Sequence, residues 1–374
     1  MLCLGMATVF AGADSRVWTD RNGRQVEAGL LSQTEEAITI RRDSDGLTFT
    51  LPIASLSDAD QAYLLELQAA VKPTEPEKPF EGLEWPRRVK LPDDYDVTIV
   101  KEDNATNEYI YRTPNFEFHS DVKLARKTVR EFGKIFETTY VAMQAFPLEW
   151  KPQPRDSHFV TRLFAEKEDY YEAGGMINSG GVYIPSRGEI LTPLSSLGVE
   201  KASSSYTLSK DGDHLTLIHE ITHQVHHDWL NKLPPWIVEG MAVYMESVPY
   251  DDGQFRFDRR ELEDFHRLQR GGDVLMVAPD ELMTMTYSQW SANFKDSPDR
   301  LGDYYLSAFL LWNYFLHLDG EGEGRRVYQY CRAVEKGSSD EEARAILLGD
   351  RSYEELDKDI IAAYKREGVS IVMF

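Results

Sequence analysis

The chain has 374 residues, 42% of them hydrophobic and 11% aromatic, a length that fits two or three domains with a sizeable buried core. Its 41 basic and 63 acidic residues give a formal net charge of −22, spread along the chain; such a surface favours solubility and disfavours nucleic acid and anionic lipid as partners. The two cysteines, Cys3 and Cys331, form no C-x-x-C pair, which excludes thiolate metal sites and dithiol redox motifs.

Residues 1–13 read as a truncated secretory signal: an apolar run to Phe10, then Ala11-Gly12-Ala13, with no basic stretch ahead of it. The run is too short to span a bilayer, no other segment is apolar enough, and a secreted or periplasmic location without a membrane span is expected. Residues 14–70 predict a small β module. Arg16–Asp20 leads into a turn at Arg21–Arg24, Ala37–Arg41 alternates as a strand should, and Asp45-Gly46 marks a tight turn before Leu47–Leu51. Ser57 then reads as the N-cap of a short helix running to Leu67. Residues 71–84 contain Pro73, Pro76 and Pro79 and no periodic pattern, as in a stiff, extended linker.

Residues 85–374 read as an α/β unit followed by a helical one. Strands are expected at Tyr109–Thr113, Phe116–His119, Val160–Phe164 and Gly181–Pro185, with Ser120 capping a helix from Val122 to about Ala145. Helical periodicity returns over Leu215–Trp229, Pro235 opens another helix, and beyond residue 258 the pattern is almost wholly helical. Tyr305, Phe309, Trp312 and Phe315 share one face, as core packing would require, and Ser352–Tyr364 fits a closing helix.

The chemistry concentrates in His219-Glu-Ile-Thr-His223, an H-E-x-x-H motif within the helix from Leu215. At 3.6 residues per turn His219 and His223 stack on one face, where two imidazoles can reach one cation, and Glu220 on the adjacent edge can take a proton without being a ligand. Two histidines satisfied inside a helix bundle would show the same spacing. A metzincin is excluded, because His226 occupies the glycine position of that motif and Trp229 the third histidine position. His226 and His227 are expected at the surface or behind the ligands.

Two resemblances organise these readings. Trp18-Thr-Asp20, the turn glycine, the paired strands and Leu56-Ser57 with Asp60-Gln61 resemble the Sla-type homology module, which implies a small SH3-like β-barrel. Thirteen residues past His223 the sequence reads Trp236-Ile-Val-Glu-Gly-Met-Ala-Val-Tyr244. Together with H-E-x-x-H, this resembles the gluzincins of the peptidase MA clan. The resemblance implies an α+β, thermolysin-like zincin domain over residues 85–374: a mixed sheet over the H-E-x-x-H helix, then a helical lobe.

It further implies Zn2+ held by His219, His223 and Glu239. Glu246, two turns beyond Glu239, shares its face, and periodicity alone does not choose between them; the Trp236 and Gly240 frame selects Glu239. Gly240 is expected to let the ligand helix approach its neighbour closely. The clan's oxyanion-stabilising tyrosine is expected at Tyr304, three residues before Ser307, with Tyr305 as its rival. Val182–Ile184 fits an edge strand for an extended peptide, or an ordinary hairpin.

The expected activity is zinc-dependent hydrolysis of peptide bonds with Glu220 as general base, acting on a peptide or protein substrate. Two readings compete: a non-catalytic adhesion protein retaining a zinc site, and a zinc hydrolase of a non-peptide amide. The sequence carries no signal for oligomeric state.

Overall fold

The computed structural model describes residues 8–9, 15–34, 37–44, 47–70, 84–177, 179–202, 205–208, 214–257, 273–296, 300–320, 322 and 324–374. Most of the expected leader and linker, and the Asp45-Gly46 turn, lie outside them. The chain is mixed α/β and divides into two compact units, Met1–Glu81 with Gln329–Ile346, and Gly82–Tyr328 with Leu347–Phe374.

In the first unit, Thr8–Val9 (β1), Arg16–Thr19 (β2), Gln25–Gln33 (β3), Ala37–Arg42 (β4) and Thr48–Pro52 (β5) form an antiparallel sheet, followed by helix Asp58–Ala70 (α1). Alternation puts Ile38 and Ile40 on the inner face, where they join Trp18, Ala28, Leu30, Leu56 and Leu64 in a buried cluster. The Trp18 indole N–H donates to the Ala28 carbonyl at 3.0 Å, so the one polar atom of that large side chain is satisfied. Ser57 caps α1 as expected, accepting from the Asp60 amide at 3.2 Å. The expected SH3-like barrel is not closed: among the described residues β5 pairs only with β4, and the sheet remains open.

The second unit is built on a six-stranded sheet. Its strands are Thr98–Asp103 (β7), Glu108–Arg112 (β8), Phe116–Ser120 (β9), Phe159–Phe164 (β10), Val182–Ile184 (β11) and Glu189–Pro193 (β12), in the order β11-β12-β10-β9-β8-β7. Arg88–Lys90 (β6) belongs to a separate small sheet with later strands. Strands β9, β10 and β12 run parallel, whereas β11 is antiparallel to β12 and forms one edge. Helix Arg126–Gln144 (α2) lays Phe132 and Phe136 on Phe118, with ring centroids 5.1 and 4.9 Å apart. It starts later than expected. Ser120 ends β9, its hydroxyl donates to the Val122 carbonyl at 2.8 Å, and the residue at the actual N-cap, Ala125, offers no side-chain cap.

A short helix, Lys167–Glu172 (α3), precedes β11. After hairpin Val199–Ala202 (β13) and Ser205–Leu208 (β14) comes His214–Val225 (α4), which breaks at His226 before His227–Leu230 (α5). Helix α4 packs on α2, β11, β12 and Pro235–Ser247 (α6). The rest of the unit includes Pro279–Thr284 (α7), Tyr287–Asp296 (α8) and Leu301–His317 (α9) and, after Arg325–Glu335 (α10) and Asp340–Leu348 (α11), most of whose residues belong to the first unit, Tyr353–Arg366 (α12). Past residue 258 an almost wholly helical pattern is expected; residues 258–272 lie outside the described residues, and the described ones include one exception, Val274–Met276 and Ile371–Met373, which pair as a two-stranded parallel sheet. Both segments are short and rich in β-branched or large apolar residues, a pattern that helix and strand share at this length. Among the described residues, no helix is long and apolar enough to cross a membrane.

Gly240 sets the packing of α6. A β-carbon there would lie 2.4 Å from the Ala308 carbonyl oxygen, so only glycine permits this approach. The close contact expected at this glycine is therefore with α9, and not with the histidine-bearing helix.

Candidate metal centre

Helix α4 turns its apolar side, including Ile218 and Ile221, into the core, and this orientation carries His219 and His223 toward α6. Their rings stand 4.6 Å apart at 84°. From α6, Glu239 brings Oε2 to 3.2 Å from His219 Nε2 and 3.4 Å from His223 Nε2. One ligand atom from each of the three residues lies within 4.8 Å of the others, a triad able to hold a metal ion.

The donor chemistry fits such an ion. Tetrahedral coordination with bonds of about 2.0–2.1 Å places neighbouring ligand atoms about 3.3–3.4 Å apart, close to the two separations observed. The tautomer is also set. Glu246 Oε1 lies 2.9 Å from His219 Nδ1 and accepts its N–H, which leaves Nε2 as the nitrogen that would offer its lone pair to a cation. Glu239 and Glu246, two turns apart on α6, thus take opposite nitrogens of one imidazole.

The charges are strongly coupled. Burial disfavours the charged form of His219, but its hydrogen bonds to Glu239 and Glu246 outweigh this and raise its pKa well above the usual value. Burial likewise opposes ionisation of Glu239, yet the adjacent His223 and His219 hold its carboxyl far below the ordinary range. Without a cation, the carboxylates draw a proton onto the imidazole; a divalent ion would take that proton's place.

Glu220 stands beside the triad without joining it. Its Oε2 accepts the backbone N–H of Tyr183 on β11 at 2.7 Å. Burial raises its pKa, partly offset by the two histidines and by that N–H. A carboxyl with raised basicity, held at one oxygen and free at the other, suits proton transfer.

The triad and Glu220 open into a cavity of about 400 Å³, also lined by Met176, Val182, Leu230, Val238, Tyr287 and Tyr305. Of the two candidate tyrosines, the structure brings Tyr305 to the site: its ring lies 6.0 Å from that of His219. Burial, and then the Glu239, Glu220 and Glu246 charges, push its hydroxyl pKa up, so it remains a donor. Tyr304, the residue expected in this role, lies elsewhere. Its hydroxyl donates to Glu281 on α7 at 3.0 Å and its ring packs on Trp290. One residue turns a helix by about 100°; the face that carries Phe309 and Trp312 into the core carries Tyr305 to the cavity.

His226 and His227 are buried rather than at the surface, and neither reaches the triad. His226 Nδ1 donates to the Thr222 carbonyl at 3.1 Å, its ring meets Trp150 edge-on at 5.0 Å, and burial pushes its pKa down to about 3. His227 lies between the Gln224 carbonyl and Asp228.

Two contributors were not found by sequence reasoning. Tyr287 closes the cavity while its hydroxyl donates to the Leu230 and Leu233 carbonyls at 2.9 and 3.2 Å. The Tyr183 amide is a backbone group, and no residue pattern reports it. No family model matches the sequence, and a search of curated proteins returns no match.

Proposed function

We propose that the chain is a zinc-dependent peptidase of the gluzincin type. The observation that carries this reading is the placing of His219, His223 and Glu239 at ligand spacing beside an independent carboxylate, Glu220, that a purely structural metal site would not need. A thermolysin-like arrangement accords with a mixed sheet whose antiparallel edge strand β11 flanks the H-E-x-x-H helix. On this reading residues 85–374 form the peptidase and residues 14–70 an accessory module.

His219, His223 and Glu239 would hold the zinc, with Glu246 fixing the His219 ring. A bound zinc supplies a Lewis acid for the scissile carbonyl and renders water nucleophilic near neutral pH. Glu220 accepts the proton released when the water oxygen bonds the carbonyl carbon, then delivers it to the leaving nitrogen as the C–N bond breaks. The Tyr305 hydroxyl donates to the carbonyl oxygen as negative charge develops there. The Tyr183 amide keeps Glu220 on the cavity side of β11.

Metal analysis of the purified protein, with hydrolysis of casein and a peptide library before and after chelation, tests the reading. One zinc per chain and chelator-sensitive cleavage are expected. Zinc without cleavage would favour the adhesion reading, and hydrolysis confined to non-peptide amides would favour the third.

A further inference from the structure

Two imidazole nitrogens between residues 223 and 226 are buried without a protein partner among the described residues, and they are chemically complementary. The first is His223 Nδ1. The other nitrogen of that ring, Nε2, lies 3.4 Å from Glu239, so for Nε2 to offer its lone pair to a cation Nδ1 must carry the hydrogen. Glu246 accepts the corresponding N–H of His219, whereas no carboxylate or carbonyl among the described residues accepts that of His223. The second is His226 Nε2. His226 donates its Nδ1–H to the Thr222 carbonyl at 3.1 Å, and burial keeps the ring neutral, so Nε2 is left as a bare acceptor.

The His226 amide still donates to the Thr222 carbonyl at 3.2 Å, so the helical turn runs from one histidine to the other. Residues three apart in a helix are neighbours, with β-carbons about 5–6 Å apart. A donor and an acceptor therefore stand one turn apart, both removed from solvent. The rings around His226 add two more polar atoms of the same kind. Trp150 meets His226 edge-on at 5.0 Å and stacks on Trp312 at 6.0 Å, and the indole N–H of each is buried without an acceptor among the described residues. Buried polar groups that find no protein partner are commonly satisfied by ordered water, which makes about three hydrogen bonds.

We infer that one buried water joins the two histidines, accepting from His223 Nδ1–H and donating to His226 Nε2, with one of the two indoles as its third partner. His226 is thereby a positioning residue for His223. The inference rests on the reading of His223 as a metal ligand and deepens it. Through the water His226 fixes the tautomer and the rotation of the His223 ring, as Glu246 does directly for His219. A neutral relay does so without adding a carboxylate to a site that already gathers Glu239, Glu246 and Glu220 around His219.

The test uses the full-length, zinc-loaded protein and needs no turnover. With nitrogen-15 in its histidines, the protein should show His223 protonated at Nδ1 and not at Nε2, and that proton should give a nuclear Overhauser effect to bound water. Zinc affinity, measured by competition with a chelator, should fall by about 10- to 100-fold in His226→Phe, which keeps a ring and removes the acceptor. His226→Gln, whose side-chain oxygen can stand where Nε2 stood, should recover most of that loss. Equal losses in both variants, as packing alone would give, or no loss in His226→Phe, overturn the inference while leaving His223 as a ligand. Should His226→Phe fail to fold, the unsubstituted protein decides: a His223 Nδ1 proton without an Overhauser effect to water overturns the relay. Unsubstituted protein that binds no zinc overturns the metal-centre reading and the inference with it.

Discussion

The backbone N–H of Tyr183 and the Oε2 of Glu220 are 2.7 Å apart, so the edge of the six-stranded sheet holds the carboxylate of the motif helix directly. Side-chain bulk plays no part in this contact. Substitutions of Tyr183 that keep the strand also keep the hydrogen bond.

Glu220→Gln preserves an acceptor oxygen for that N–H and leaves the triad untouched. The variant should therefore fold, retain its zinc and lose about 10²- to 10⁴-fold in turnover, the usual contribution of a general base. Metal analysis paired with peptide hydrolysis checks this, and unimpaired turnover would remove Glu220 from the mechanism.

On the proposed reading Glu239 and Glu246 have different tasks. Glu239→Ala removes the oxygen shared by both histidines and should abolish zinc retention and activity together. Glu246→Ala frees His219 Nδ1 and should weaken metal affinity by about 10- to 100-fold without abolishing it. Competition with a calibrated chelator distinguishes the two, and the reverse order of severity would exchange their roles.

Tyr305→Phe should lower kcat by about 10²- to 10³-fold with KM nearly unchanged, as when one oxyanion donor is lost. Tyr304→Phe removes the hydroxyl's bonds to Glu281 and Asn293 and should cost about 0.5–1.5 kcal/mol of stability while sparing kcat. Steady-state kinetics beside thermal unfolding tells them apart; equal kinetic losses would mean that Tyr305 acts through packing.

His226 couples folding to acidity. Its pKa is about 3 in the folded chain and about 6.5 when unfolded, so above pH 6.5 it is neutral in both states and contributes no pH dependence. As pH falls from there toward 3, the unfolded chain binds the proton and the folded chain does not, and stability drops by up to about 1.4 kcal/mol per pH unit. In chelator-treated protein His226→Phe should flatten this part of the pH profile. Urea unfolding between pH 7.5 and 5 measures it, and parallel profiles would show that His226 does not carry the effect.

The legible parts of this molecule were those written in short-range spacing. His219 and His223 at four residues fix one helical face, and the Trp236–Gly240 frame singles out Glu239; the structure brings all three together. Ser57 and the alternation at Ala37–Arg41 foretold a cap and a strand. The readings that failed depended on what lies across a gap. Choosing Tyr305 over Tyr304 requires knowing which face of α9 looks into the cavity. The helix break that turns His226 into the core is invisible in a sequence whose apolar period runs on past it. Strand β6 was not anticipated because three residues carry too little periodicity, and it pairs with Gln254–Arg256 far along the chain.

Gly240 meets the Ala308 carbonyl with no side chain between them, so α6 and α9 touch backbone to backbone. Glu239 and Tyr305 ride on those two helices. Mechanically they belong to one jaw, whose internal spacing is set by main-chain atoms and resists drift in the surrounding side chains. The opposing jaw is α4 with β11, carrying the histidines and the held carboxylate. An ion shared by His219, His223 and Glu239 would be a rivet between these two jaws, beside the Glu246–His219 contact that already joins them.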